Sequence, residues 1–513
     1  MSFKPNTLFY TDGYKTSHKR MLAPGTTKLY GTWIPRSIKY APTGVSKIVS
    51  FGQQIVVRWL HDEFAENFFS LPLEDAMKFG KDMGMYLMQE YNADHFAELH
   101  KLGYLPIRIK SLPEGIETQP NVPHMTFINT VDGFAWLTLY LETIVSSLAW
   151  KPSTSATIAL QYRRNAVEWV MKTDPQNAWL IDYLCHDFSA RGLSPWDMLS
   201  SGLGHASSHR GSDALIVIPG ARYFYNEPEN EVCINSVNAS EHSVSTTKIF
   251  TVGEQQMIAD WLKEFPTGIL SIVSDTFDLW KLITEYLPAN KELIMSRDGK
   301  LVIRPDSGNP VDIICGLGGR KDTFLKYNGE KPTNLVSNPP KYKTLKENVT
   351  ESETKGVIEL LWDIFGGTIN EQGYKVLDSH IGAIYGDSIT LDRQVEIYHR
   401  LEQKGFAATN IVLGVGSYTY QMNTRDTLGF AAKGAWFEAN GTGYNIYKEP
   451  ITDDGTKKSL KGLIMITEDE GKIVCKEECS FEEESQGLLQ VIYENGVLKN
   501  QTTLTEIRKK LNQ

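Results

Sequence analysis

Cysteine is scarce in this chain: five in 513 residues, at 185, 233, 315, 475 and 479. That excludes a disulfide framework and points to reduced thiols in a cytoplasmic protein. Cys475 and Cys479 stand close together, but no second pair and no histidine cluster accompanies them, so they are not read as a zinc site. Positive charge is not in excess either. Lys and Arg number 52 against 62 Asp and Glu, a net charge of −10, which removes the basic field that nucleic-acid binding needs. No apolar run reaches membrane length. The most apolar long window, FAWLTLYLETIVSSLAW (134–150), is interrupted by Glu142. It is shorter than the ~20 residues of a span, so it reads as a buried helix. The opening MSFKPNTLFYTDGYK lacks the apolar core of a secretory leader. There is no internal repeat and no low-complexity tract. The expectation is a cytoplasmic globular protein with no nucleic-acid and no membrane partner.

What is present is a recurring pattern between residues 178 and 418. A short apolar run ends abruptly in Asp, Arg, His, Ser or Gly. The runs are WLIDYLCHDFSARG (179–192), GILSIVSDTFD (268–278), KLVIRPDSGNP (300–310), HIGAIYGDSIT (380–390) and NIVLGVGSY (410–418), with a weaker one in VCINSVNASEHS (232–243). Buried parallel strands read this way, and α/β enzymes carry their chemistry at the C-terminal ends of such strands. Amphipathic helical spacing separates the runs at 252–265, 355–366 and 391–405, so the alternation predicts parallel pairing in an open sheet or a barrel. ALIVIPGARYFY (214–225) is β-branched enough for a strand, yet its apolar run also suits a buried helix.

Three segments follow from this. Residues 1–150 alternate short strands (27–34, 105–113) with helical pieces (73–91). Residues 151–420 hold the strand-and-helix alternation, opened by a helix over 155–173 and interrupted by a polar insertion at about 317–354, too long for an ordinary connection. Residues 421–513 end in two short strands around Asn495-Gly496 and then a helix, the dipeptide supplying a hairpin turn.

The strand ends collect Asp187, Arg191, His242, Asp275, Asp278, Arg304, Asp306, Asp387 and the Gly414/Gly416/Ser417 loop. Arginine binds phosphate through two parallel N–H groups, glycine-rich backbone wraps phosphate, and carboxylates hold sugar hydroxyls or the water shell of Mg2+. The set therefore suits a phosphorylated sugar held with a divalent metal. LGVGSY is neither a Walker loop nor a dinucleotide-binding fingerprint, because its glycine spacing fits neither. His242, in Ser-Glu-His-Ser, has the setting of a nucleophile or general base, and equally of a hydrogen-bonded structural histidine. In Arg304-Pro-Asp-Ser-Gly-Asn-Pro, two prolines and a glycine fix a tight turn that presents Arg304 and Asp306 together. Such a pair serves a ligand or staples a loop.

The series TDGYKTSH (11–18), HDFSARG (186–192), RGSD (210–213), SEHS (240–243), VSDTFD (273–278), IRPDSGNP (303–310), YGDSI (385–389), TRD (424–426) and EIRK (506–509) resembles the nicotinamide phosphoribosyltransferase family over nearly the whole chain. IRPDSGNP with an upstream Glu-His-Ser is the most specific part. The resemblance implies a phosphoribosyltransferase-type α/β barrel with a smaller β-rich domain formed from N- and C-terminal segments. It implies a homodimer with active sites at the subunit interface. The reaction implied is nicotinamide plus phosphoribosyl pyrophosphate giving nicotinamide mononucleotide and pyrophosphate, in NAD salvage, with Mg2+ and with ATP as co-substrate through a phosphohistidine at His242.

Carried onto this chain, the resemblance places Phe188 on one face of the pyridine and Tyr14, with Asp12, from a second subunit on the other. It gives Asp213 the carboxamide NH2, and Arg191 and Arg304 phosphate or the amide side. Asp306 and Asp387 face the ribose, Ser274 and Gly386 are further substrate-binding residues, and Asp278 and Asp306 lie near the metal through water. Gly416, Ser417 and Arg425 meet the 5′-phosphate, and Arg36, Lys433 and Lys448 meet pyrophosphate or ATP. His242, Arg304 and Asp306 are the catalytic candidates.

The chain departs from the family pattern in three places. Gly416-Ser417-Tyr418 stands where a triple glycine is common, Ala431 where a serine is common, and the 317–354 insertion is long. Three rival readings remain open on the sequence: a nicotinate phosphoribosyltransferase, a catalytically silent relative, and a barrel hydrolase using carboxylates such as Asp275 and Asp278. Asp213 argues against the first, since a buried carboxylate pairs with an amide and repels a second carboxylate.

Overall fold

The computed structural model describes residues 4–317, 349–448 and 460–513. The apolar runs form a parallel sheet of six strands. Ile303 pairs with Ile272 on one side and Ala383 on the other, Ile411 continues from Ala383, and Cys185 pairs with Leu413. The edge strand Asn238–Ala239 joins Thr267–Val273. Two isolated parallel bridges, Asp187↔Ser212 and Gly211↔Asn235, carry the pairing from Cys185–Asp187 through 210–213 to the segment that enters Asn238. Counting 210–213, the ring has seven staves, and neighbours in space are neighbours in sequence. The alternation allows an open sheet or a barrel, and the pairing closes into the α/β barrel that the resemblance implies.

Because every pairing is parallel, the polar residues that end the runs meet at one rim. The runs themselves are buried: Ile272, Ile303, Ile381 and Leu413 have no exposed surface. The helices Glu254–Glu264, Val357–Phe365 and Leu391–Gln403 cover the outside, each burying one apolar stripe such as Met257, Ile258 and Leu262.

A seven-stranded antiparallel sheet lies beside the barrel. It runs Thr442–Asn445, Ala431–Ala439, Thr26–Ile34, Met125–Asn129, Ile107–Ser111, Gln490–Glu494 and Val497–Leu498. Its strands come from both ends of the chain, which makes the β-rich part composite. The last two form the hairpin turned by Asn495-Gly496.

The helix Glu142–Thr173 connects the two cores. Val145 and Leu148 pack with the antiparallel sheet, and Ile158, Tyr162 and Trp169 pack in the barrel. The windows 134–150 and 155–173, separate in sequence pattern, are thus largely one helix that passes through Pro152. The ambiguous segment 214–225 is a helix, Val217–Tyr225. Its buried residues 217, 220, 221, 224 and 225 follow helical rather than alternating spacing. The run 179–184 is not strand: a 3-10 helix occupies Pro175–Asp182, and only Cys185–Asp187 enters the sheet.

The C-terminal helix Leu504–Leu511, begun by a Thr503/Glu506 capping box, docks through Arg508. That buried guanidinium donates to Ala206 O and Cys233 O, tying together the segments that lead into staves 210–213 and 235–239. Most of the polar insertion, 318–348, lies outside the described residues. Its end forms the short helix Glu351–Lys355. No helix among the described residues is long and apolar enough to cross a membrane.

Two core histidines set an acid limit on this fold. His124 is fully buried, with Nε2 at 2.8 Å from Thr118 Oγ1, and burial pushes its pKa down to about 3. His95, with its ring centroid 4.8 Å from that of Trp136, is held at about 4, chiefly by burial and then by Lys19, with Asp94 opposing. Both are neutral when folded and titrate near 6.5 when unfolded, so the unfolded chain binds more protons below that value. Their contribution to stability is complete above about pH 6.5 and is lost as pH falls toward 4 and 3. Denaturant midpoints between about pH 7 and about pH 4.5 are expected to fall, and His124→Gln to flatten part of that slope. A midpoint independent of pH over that range would contradict the assignment.

Candidate active site

At the rim, three neighbouring staves converge on Asp213. Its main-chain N–H donates to Asp187 O at 3.0 Å, which fixes the register. His186 Nε2 lies 2.9 Å from Asp213 Oδ1, and the Ser236 hydroxyl donates to the same oxygen. The Asp213 side chain is 44% exposed, not buried as expected from the sequence. Its partial desolvation raises the pKa, but the His186 and Ser236 contacts and the charge of Arg304 outweigh it, so the carboxyl lies below its ordinary range. The Phe188 ring lies beside this group, 4.5 Å from the His186 ring and tilted by 36°. Its main-chain N–H donates to Val415 O at 2.9 Å. Arg191, two turns of chain further on, is exposed.

Arg304 joins this group to the next. Its Nη2 donates to Ser240 O at 2.5 Å, its main-chain N–H donates to Ser274 Oγ at 3.1 Å, and its Nε is buried with no partner among the described residues. Ser274 has no exposed surface; its own N–H donates to Arg304 O. It therefore locks two strands together within this chain.

His242 is the first residue of the helix His242–Val252. Its Nε2 faces two carboxylates, Asp275 Oδ1 at 3.6 Å and Asp306 Oδ2 at 3.8 Å, and its Nδ1 is 3.3 Å from Thr276 Oγ1. Asp275 is held by the Asp306 N–H on Oδ2 at 3.0 Å, and its buried Oδ1 has no hydrogen bond. Two acceptors at Nε2 favour the tautomer with its proton there, which leaves the Nδ1 lone pair toward Thr276. Arg304 and Asp306 thus diverge from the turn they share, one toward Asp213 and Ser240, the other toward His242.

The last part of the rim is a backbone cradle. A Cβ on Gly416 would lie 1.7 Å from Asp387 Oδ1, and one on Gly386 would lie 2.6 Å from Asp306 Oδ1, so both positions need glycine to admit the neighbouring carboxylate. Asp387 Oδ1 accepts from Ser388 N–H at 2.5 Å, and Ser388 sits in the left-handed region at φ +64°. Ser417 begins the turn of helix Ser417–Gln421 directly after Gly416. Asp278 is exposed on the same side and caps the helix Leu279–Lys281 through its Oδ1. Arg425 is exposed, with Asp426 at 3.5 Å.

Asp12 and Tyr14 lie at the 3-10 segment Gly13–Ser17, Arg36 follows the strand Thr26–Ile34, and Lys433 lies on Ala431–Ala439. Asp12 accepts from the Thr143 hydroxyl at 2.6 Å, and Tyr14 is 63% exposed. Arg36 Nε donates to Gly429 O at 3.1 Å. Burial lowers the Lys433 ammonium below the ordinary lysine range; Glu142 opposes this, and the cations Arg36, Lys448 and Lys15 add to it. Among the described residues, no hydrogen bond or ion pair links Asp12, Tyr14, Arg36 or Lys433 to Asp213, His242 or Asp306.

His186, Ser236 and Asp275 do more at the rim than the sequence alone assigned to them. His186 stands in the quoted HDFSARG run, but nothing in the sequence says which of His186 and Asp187 faces the rim. No group of three or more His, Cys, Asp or Glu among the described residues forms a metal cage. The exposed carboxylates of Asp306 and Asp278 suit instead an ion that keeps its water and is shared with a phosphate, as Mg2+ does.

The model of the nicotinate phosphoribosyltransferase (NAPRTase) family matches residues 183–511. A nicotinamide phosphoribosyltransferase of Acinetobacter baylyi is 39% identical over 100% of this chain and 98% of its own. One of Mycoplasma pneumoniae is 31% identical over 89% of this chain and 94% of its own. Among solved structures, human nicotinic acid phosphoribosyltransferase matches with a TM-score of 0.51 at 13% identity, covering 98% of this chain and 93% of the other. A nicotinate-nucleotide pyrophosphorylase of Pyrococcus furiosus matches at 0.53 and 15%, covering 100% and 98%. The structural matches carry the fold alone.

Proposed function

Because the chain belongs to the nicotinate phosphoribosyltransferase family, we propose that it transfers the phosphoribosyl group of phosphoribosyl pyrophosphate to nicotinamide in NAD salvage. The products are nicotinamide mononucleotide and pyrophosphate. The observation that carries the choice of nicotinamide over nicotinate is the ionised Asp213 beside Phe188 at the barrel rim. An ionised carboxylate accepts the amide N–H and repels a substrate carboxylate. The relatives named nicotinamide phosphoribosyltransferase support the same choice.

In this reading the pyridine nitrogen bonds to ribose C1 as the C1–O bond breaks and pyrophosphate leaves with the electron pair. Phe188 stacks the ring and Asp213 sets its rotation, so the weak nucleophile is aligned before reaction. Arg304 offers its buried, unpartnered Nε to an anionic group, which suits phosphate. Asp306 and Asp387 take ribose hydroxyls, and the Gly416-Ser417 turn with Arg425 takes the 5′-phosphate. The carboxylates of Asp306 and Asp278 would hold a hydrated Mg2+, which would supply neutralising charge to the leaving pyrophosphate. Asp12, Tyr14 and Arg36 complete the site from a second copy in a homodimer, with Lys433 and Lys448 at pyrophosphate or ATP. Transfer of the ATP γ-phosphate to His242, held between Asp275, Asp306 and Thr276, couples hydrolysis to tighter substrate binding.

The test is a product assay with nicotinamide and with nicotinate, each with phosphoribosyl pyrophosphate and Mg2+, with and without ATP, on wild type and His242→Ala. Nicotinamide mononucleotide is expected from wild type, faster with ATP. His242→Ala is expected to keep the ATP-independent rate and lose the ATP effect. Preference for nicotinate would transfer the proposal to the sister reaction. An ATP effect that survives in His242→Ala would remove the histidine from the coupling.

A further inference from the structure

One oxygen of Asp213 carries two donors. His186 and Ser236 both bond Oδ1, which leaves Oδ2 without a hydrogen bond among the described residues. The two donors come from the staves on either side of 210–213, so the carboxylate is gripped from both flanks. From the strand Cys185–Asp187, His186 faces it; Asp187 on the same strand turns away to Ser189 N–H and the Ser212 hydroxyl. From Asp298–Arg304 the Arg304 guanidinium faces it. On its own stave Arg210 is paired with Asp182 at 3.7 Å.

We propose that His186 and Ser236 are positioning residues for substrate selection: by holding Oδ1 they keep Asp213 ionised and turn Oδ2 alone toward the ring substituent of the pyridine. Releasing that grip raises the use of nicotinate relative to nicotinamide. The inference rests on Asp213 meeting the pyridine substituent, as proposed above. The physical reason is a balance. Burial favours the neutral acid, and the two hydrogen bonds favour the anion. An anionic Oδ2 accepts N–H from the amide, whereas a protonated carboxyl can donate to the carboxylate of nicotinate. Removing the Ser236 hydroxyl takes away one bond to a charged group, and Asp213 is expected to protonate about one pH unit higher, a tenfold change in its ionisation equilibrium.

The experiment measures kcat/KM for nicotinamide and for nicotinate from about pH 5 to about pH 8 in wild type, Ser236→Ala and Ser236→Thr. The Asp213 carboxyl is titrated separately by infrared difference spectroscopy down to about pH 2, with Asp213→Asn identifying its band. At each pH of the kinetic range Ser236→Ala is expected to show about tenfold less amide preference than wild type, with the infrared midpoint moved upward. Ser236→Thr keeps the hydroxyl and is expected to restore both. An amide preference equal to that of wild type throughout the range, or an infrared midpoint unchanged by Ser236→Ala, overturns the proposal. If wild type transfers to neither pyridine, the reading of the substrate fails by itself. The infrared midpoint then still decides whether the two donors hold the carboxylate.

Discussion

Arg304→Ala is expected to lower kcat/KM for phosphoribosyl transfer to nicotinamide by about 10³-fold while the protein stays folded. The guanidinium has three tasks at once. Its Nη2 holds Ser240 O, just before His242; its charge faces Asp213; its buried Nε points a donor at no protein atom. The first task positions the start of the His242 helix, the second favours the anionic selector, and the third is open to a substrate anion. Hydrogen bonds to charged groups contribute about 1.5–3 kcal/mol each, and two such bonds lost in the transition state amount to roughly 10³ in rate. The main-chain bonds between Arg304 and Ser274 do not depend on the side chain, so the strand itself is retained. Arg304→Lys is expected to recover no more than about tenfold, because an ammonium cannot serve Ser240 O and a ligand with the planar fork of a guanidinium. Steady-state kinetics in both substrates, with thermal unfolding as the folding control, decide the matter. A lysine variant close to wild type would reduce Arg304 to a point charge, and a loss in the alanine variant below tenfold would remove it from the substrate.

The rim was legible in the sequence for a simple reason. A buried parallel strand must be apolar, and it stops being apolar where it meets the mouth of the barrel, so His186, Ser274, Arg304 and Gly386 stand where their runs end. The composite antiparallel sheet was reached through resemblance rather than pattern, because pairing Ala431–Ala439 with Thr26–Ile34 joins residues some four hundred positions apart. Local spacing failed where a short element has two readings. Residues 179–184 are apolar enough for a strand but coil into a 3-10 turn, and 214–225 carries β-branched residues on a helix whose packing period shows only in the buried set. The partners of the selector were the least visible. His186 and Asp187 are consecutive in one strand, so one faces the rim and the other does not, and no local signal decides which. Ser236 lies in Ile-Asn-Ser-Val-Asn, where any of three polar side chains had the same claim. Of Asp275 and Asp278 the resemblance singles out only the second, yet in the fold the first follows a strand and faces His242, and the second caps the helix that follows.

Asp275 carries the other large expectation. Asp275→Asn is expected to reduce ATP stimulation by about 10²-fold and to leave ATP-independent transfer within a few-fold of wild type. Its Oδ2 accepts the Asp306 N–H, which an asparagine oxygen also does. The asparagine NH2 then stands where the buried Oδ1 faced His242 Nε2 at 3.6 Å. Two donors cannot face each other, so the ring moves its proton to Nδ1 and donates to Thr276. The nitrogen that carried the lone pair is no longer nucleophilic, although volume and packing hardly change. Loss of the orienting carboxylate of a histidine lowers rates steeply where the tautomer is part of the mechanism. Asp306→Asn makes the contrast. Its carboxylate is 38% exposed and faces both His242 and the open rim, so both the ATP-coupled and the ATP-independent rates are expected to fall. Phosphate transfer from γ-labelled ATP to the protein, measured beside nicotinamide mononucleotide formation without ATP, separates the two. Parallel losses in Asp275→Asn would make Asp275 a support for Asp306 alone, through the main-chain bond between them, and the histidine would then owe its orientation to Asp306 and Thr276.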